Sequence, residues 1–135
     1  MNLDVMGAAW APRLLSVLRM AAGLLFLQHG TAKYFKIPAV PMFAKGVDPM
    51  TLVGIAGMLE LVGGLLLIVG LFTRPIAFVL SGLMAVAYFT AHATRGFYPI
   101  LNGGELAALY CFVFLYIAAA GAGPWSVDAV RSKAR

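Results

Sequence analysis

Long apolar runs, interrupted by short polar or glycine- and proline-containing stretches, set the pattern of this chain. Four runs are separable, over about residues 13–35, 50–72, 75–94 and 103–121. As a helix, each is long enough to cross a bilayer core of roughly 30 Å, which takes about 20 residues. The breaks have recognisable chemistry. Residues 37–49 carry Pro38, Pro41 and Pro49, so no long helix continues there. Arg74-Pro75 reads as a tight turn with Pro75 at the first position of the next helix. Residues 95–101 (RGFYPIL) form an aromatic surface loop, and Asn102-Gly-Gly-Glu105 opens the last run, which ends at Gly121-Ala-Gly-Pro124. Trp10 suits a membrane interface and Pro12 a helix start. The expected fold is all-α, an integral membrane four-helix bundle forming one domain over residues 1–135.

Composition supports this reading. The chain is 62% hydrophobic and 11% charged, where a soluble domain carries about a quarter charged residues. The net charge of +5 is spread thinly, so it marks membrane-flanking anchors and no nucleic-acid surface. A lone cysteine, Cys111, excludes an internal disulfide and a CxxC redox motif. Leu14 to Leu27 could pass for a signal core, but no small-x-small cleavage site follows, and the segment is expected to be retained. Four spans put both termini on one side, with Arg13, Arg19, Arg74, Arg131, Lys133 and Arg135 against Lys33, Lys36, Lys45 and Arg95 on the other. That bias of six to four favours cytoplasmic termini.

The second run holds one acid, Glu60, among apolar residues. A charge there is expensive in lipid and is expected to point into the protein. Gly57, Glu60 and Gly64 fall at i, i+3 and i+7, on one face where a neighbouring helix can approach closely. The other unusual polar residues lie in the same half of the membrane, away from the termini. His29 and Lys33 share a face of the first helix. Ser81, Tyr88 and His92 share one on the third, and Glu105, Leu109, Phe112 and Tyr116 one on the fourth. If all four faces point inward, His29, Lys33, Glu60, Tyr88, His92 and Glu105 converge on an outward-opening pocket over an apolar inner half.

Each residue also has a plainer role. Glu60 pairs with His29 or Lys33 as a structural lock. Asn102 and Glu105 form a reciprocal helix cap. Lys33 and Lys36, like Arg13 and Arg19, are snorkelling anchors. Three chemistries can be tried on such a pocket. A metal would use His29, Glu60, His92 and Glu105, but the Glu-x-x-His pairs of di-metal bundles are missing. A quinone needs a partner for each carbonyl, a proton-passing group and apolar walls. His29, Glu60, Tyr88 and His92 supply the first two, and Phe26, Phe89 and Phe112 the walls. A permeation path would need polar groups through the inner half, where only Ser81 and Arg19 are found.

The segments HGTAK (29–33), ELVGGLLLIVGLFTR (60–74), NGGELA (102–107) and GAGPWSVD (121–128) together resemble the DoxX family of small bacterial membrane proteins, over about residues 13–128. The resemblance implies a four-helix protein of the inner membrane. Relatives called DoxD form part of a thiosulfate:quinone oxidoreductase, and others are linked to thiol and oxidative-stress defence complexes. His29, Lys33, Glu60, Gly63, Gly64, Arg74, Gly104 and Glu105 match the family's recurring pattern, which carries no agreed catalytic motif. Without a cysteine pair, a redox role would need a bound quinone, a metal or a partner subunit. The expected function is the membrane subunit of a redox or oxidative-stress system, binding a quinone-like ligand in the outer-half pocket, with the bilayer and a protein subunit or second copy as partners. The alternatives are a non-enzymatic scaffold anchoring a soluble partner and a small-molecule transporter subunit.

Overall fold

The computed structural model describes residues 2–135. Helix α1 covers Leu3–Phe35 and starts where the Asn2 side chain accepts the Asp4 N–H at 3.0 Å. Helix α2 covers Leu52–Val69, capped by the Thr51 hydroxyl and closed by Gly70 in the left-handed region at φ 71°. Helix α3 covers Thr73–Ala87 and continues through a π-helical turn, Tyr88–His92, and a 3-10 turn, Ala93–Arg95. A single turn, α4 (Pro99–Asn102), precedes α5 (Glu105–Ala120), and α6 (Val127–Lys133) ends the chain. Among the described residues there is no strand.

Successive long helices run antiparallel. Gly23 and Gly30 of α1 meet Gly64 and Leu61 of α2, Leu80 of α3 meets Gly63, and the Ser81 hydroxyl donates to the Cys111 carbonyl of α5 at 2.7 Å. The α1–α2 seam is close because glycine makes it so. A Cβ on Gly64 would sit 3.0 Å from the Leu27 Cα, and one on Gly30 2.8 Å from the Leu61 nitrogen. Such backbone approach, and not side-chain bulk, is what joins helices in lipid. Phe26, Leu67, Leu80, Phe114 and Ile117 fill the centre. The outside stays apolar, with Leu24, Leu65, Phe78 and Phe112 all exposed. A water-soluble protein would leave few such residues bare, whereas a membrane protein turns them to lipid.

Three helical segments, Leu3–Phe35, Leu52–Val69 and Thr73–Arg95, are long and apolar enough to cross a membrane. Several expectations change here. Helix α1 begins at Leu3, and Pro12 lies inside it. The proline leaves the Ala8 carbonyl without its usual donor; Ala8 is exposed, and the Arg13 guanidinium donates to the neighbouring Ala9 carbonyl at 2.7 Å. Pro75 likewise sits within the first turn of α3 and not at its head. The fourth run yields 16 helical residues, about 24 Å at 1.5 Å per residue, because Gly103 at φ 73° breaks α4 from α5. The face of α5 carrying Glu105, Leu109, Phe112 and Tyr116 is its exposed face; Tyr110, Phe114 and Ile117 are buried instead.

The two ends of the bundle differ. At one, α6 and the 121–126 loop lie beside α1 and the α2–α3 turn, with the Trp125 N–H on the Ser16 hydroxyl and the Asp128 N–H on the Gly70 carbonyl. At the other, the C-terminal end of α1, the start of α2, the π turn of α3 and the α4–α5 break come together around Lys33, Glu60 and His92.

Candidate functional site

The second end holds the polar cluster. Lys33 and His29 are one turn apart on α1, and Glu60 enters from α2. The Lys33 Nζ donates to both Glu60 oxygens at 2.7 Å, and both side chains are nearly buried. Lys33 is therefore not a snorkelling anchor. Gly57, one turn before Glu60, makes room for its stem: a Cβ there would lie 3.0 Å from the Lys33 Cδ. The ammonium also lies 5.7 Å from the centre of the Phe43 ring, contributed by the proline-rich loop. His29 is not the partner of Glu60. Its ring meets Phe26 and Tyr110 edge-on, at centroid distances of 6.2 and 6.4 Å.

The π turn brings Tyr88 and His92 to the α4–α5 break. Such turns recur at functional sites because they rotate side chains out of ordinary helical register. The Asn102 amide donates to the Tyr88 hydroxyl at 3.2 Å and to the Gly96 carbonyl at 2.9 Å. Its oxygen accepts the Gly104 N–H at 2.8 Å. The expected cap between Asn102 and Glu105 does not form: Asn102 turns inward, 2% exposed, and ties the π turn to α5. Gly104 is required there, since a Cβ would lie 2.7 Å from both the Tyr88 ring and the His92 Cβ. The His92 Nδ1 lies 3.2 Å from the Asn102 carbonyl oxygen.

Two adjoining cavities open at this cluster. The smaller, about 280 Å³, is lined by His29, Lys33, Glu60, His92 and Tyr110 among others. The larger, about 790 Å³, runs between α2 and α3 over Val53, Ala56, Leu83 and Val86, with Asp48 and Arg95 also in its lining. Lys33, Phe43, Glu60, Met84, Ala87 and His92 line both. Of the six residues singled out in the sequence, His29, Lys33, Glu60 and His92 thus meet in one place. Tyr88 stands behind His92 as a hydrogen-bond partner of Asn102. Glu105 is exposed and lines a shallow outer groove with Leu109 and Phe112. Of the proposed walls, Phe26 is buried, but Phe89 and Phe112 are 69% and 68% exposed and face away. No three His, Cys, Asp or Glu side chains among the described residues converge in a metal-holding group.

Two residues have roles other than those the sequence suggested. Asn102 is one. Arg19 is the other, 0% exposed and no snorkelling anchor. Its guanidinium donates to the Ala122 and Ile68 carbonyls at 2.8 Å, and also to those of Leu67 and Trp125. It thereby ties the C-terminal end of α2 to the 121–126 loop. The criterion that singles out Glu60, a charge inside an apolar run, applies equally to Arg19.

Antiparallel helices with an apolar exterior, and charges turned inward onto partners and a cavity, define a multi-pass membrane protein. The chain belongs to the DoxX family, which it matches over residues 14–93, a stretch that includes His29, Lys33, Glu60, Tyr88 and His92. It is 48% identical over 124 residues to a protein of Haemophilus influenzae, covering 88% of this chain and 91% of the relative. A second protein of that organism is 36% identical over 74 residues, covering 55% of this chain and 49% of the relative. Both are described as uncharacterized proteins. No solved structure gives a significant match.

Proposed function

We propose that this DoxX protein binds a quinone-like amphiphile in the paired cavities at the Lys33 end, as the membrane subunit of a redox or oxidative-stress system. The observation that carries the reading is the shape of the space. An apolar groove of about 790 Å³ between α2 and α3 leads to a chamber of about 280 Å³ where the charged groups are. Ligand sites commonly join apolar walls to a few placed polar groups, and bundles build them between helices. The head group would lie with Lys33, Glu60, His29 and His92, and an apolar tail over Val53, Ala56, Leu83 and Val86 toward lipid. A quinone, when bound, supplies two-electron chemistry. The chain itself supplies binding, orientation and proton exchange, through Glu60 and the histidines. The proposal places α1, α2, α3 with its extension, and α5 as four spans of the cytoplasmic membrane, with both termini cytoplasmic and the cavities opening outward.

A second reading is favoured by one observation. The bidentate Lys33–Glu60 pair satisfies itself, as a structural lock in a membrane scaffold would. The test is the absorbance spectrum and extracted lipids of protein purified from its native membrane. A stoichiometric aromatic redox lipid supports the first reading. A soluble partner that co-purifies with no such lipid contradicts it and supports the scaffold.

A further inference from the structure

The head-group chamber can be read for hydrogen-bond supply and demand. The His92 Nδ1 lies 3.2 Å from the Asn102 carbonyl oxygen. A carbonyl can only accept, so Nδ1 carries the proton, and Nε2 of a neutral ring is left as an acceptor. The tautomer is held by structure: Asn102 is fixed by its own bonds to Tyr88, Gly96 and Gly104. Lys33 has three N–H donors and spends two on Glu60, which leaves one. The Glu60 carboxylate has about four lone-pair positions, of which Lys33 takes two. The other polar groups do not change the balance. A neutral His29 brings one donor and one acceptor, and the Tyr110 hydroxyl can do either. Arg95 and Asp48, of opposite charge, line the larger cavity and not the chamber. The chamber therefore offers more acceptors than donors.

From this surplus we infer that the chamber selects an amphiphile whose head group carries hydroxyls, a hydroquinone over the corresponding quinone. The inference rests on the ligand reading above. A hydroxyl accepts from the remaining Lys33 N–H and donates to the His92 Nε2 or to Glu60, whereas a quinone carbonyl can only accept. The quinone leaves a Glu60 or His92 acceptor unmet, and an unmet polar group in a binding site weakens binding more than a made bond strengthens it. His92 acts here as a specificity residue and Asn102 as the positioning residue that fixes its tautomer. No electron transfer is invoked.

The test is equilibrium binding of two probes to the purified full-length chain in detergent, decyl-1,4-hydroquinone held reduced under anaerobic conditions and decyl-1,4-benzoquinone. Isothermal titration calorimetry reads both. The hydroquinone is expected to bind at least about tenfold more tightly, the size of one hydrogen bond to an ionic or well-placed partner. His92→Asn retains a donor near the Nδ1 position for the Asn102 carbonyl and has no acceptor at Nε2, so it should lower the ratio, with the free Glu60 positions keeping part of the preference. Equal affinities in the parent, or a tighter quinone, overturn the inference and leave the ligand reading standing. Failure of both probes to bind overturns both. A ratio unchanged in a folded His92→Asn protein overturns the role given to His92. Because the parent comparison needs no substitution, the inference stays open to refutation even where the variant does not fold.

Discussion

Lys33 and Glu60 show how much one pair of residues decides. Two charges leave water at a cost that their mutual attraction repays only with good geometry. Here the geometry is good, with 2.7 Å to each carboxylate oxygen. Removing one partner strands the other, so Lys33→Met alone should destabilise the protein by about 3–5 kcal/mol. The double change Lys33→Met with Glu60→Leu should recover most of that loss, because an apolar pair of similar volume replaces a satisfied ionic one. Thermal denaturation in detergent checks both. A single variant as stable as the parent would mean that the pair is hydrated and not buried. Gly64 gives a second expectation. Its missing Cβ would lie against the Leu27 backbone, so Gly64→Leu should cost about 1–3 kcal/mol or more through overpacking, while Leu65→Ile on the exposed face should be nearly silent. Equal stability of Gly64→Leu and the parent would contradict the close α1–α2 seam. The inward carboxylate was legible in the sequence because a lone acid in an apolar run is too costly to leave facing lipid. Its partner was not. Lys33 and His29 share a face, and only the three-dimensional path over Gly57 chooses the lysine.

At the scale of elements, most boundaries were readable and the turns were not. The apolar runs foretold α2, and α3 together with its extension, within a few residues, since Thr51 and Gly70 bound α2 and the chain turns at Leu71–Phe72, just before Arg74-Pro75. Helix α1 outran its run because Asn2 offers a cap that hydropathy does not register. The face of α5 was misread because it is apolar almost all round, so spacing alone cannot say which side is buried. The start of α3 is held from far away: the Asp128 carboxylate accepts the Phe72 and Thr73 N–H groups at 3.0 and 2.8 Å. Burial alone would raise the Asp128 carboxyl, but the Thr73 and Phe72 N–H groups and the charge of Arg131 outweigh it and hold it below the usual carboxylate range. A carboxyl lowered by folding adds stability above its unfolded value, and that stability is lost as pH falls through the lowered folded value. Asp128→Asn should therefore be less stable than the parent at pH 7, and the difference should close as pH drops below about 4. A difference that persists undiminished at pH 2 would show that the cap works without its charge.

For the molecule as a whole, the two ends carry different chemistry. At one, Arg19 and Asp128 close helix termini and tie in the C-terminal segment. At the other, a buried ion pair and His92 line two adjoining cavities. In the proposed four-span topology the second end faces outward. Cysteines placed at Lys45 and Tyr98 in a Cys111→Ala background should then react with an impermeant reagent applied to intact cells, and one at Ser132 should not. The reverse pattern would turn the cavity toward the cytoplasm.

The central claim is that the cavity is a binding site and not a packing remnant, and filling it is the most direct measurement. Ala87 is half-buried and lines both the chamber and the groove; Val79, on the same helix, is exposed on the outer face. Binding of decyl-1,4-hydroquinone, titrated by calorimetry, should weaken at least about tenfold in Ala87→Phe, a loss on the order of 1.4 kcal/mol. It should be unchanged in Val79→Phe. Equal affinity in the parent and in a folded Ala87→Phe protein, or no binding to the parent at all, would contradict the account.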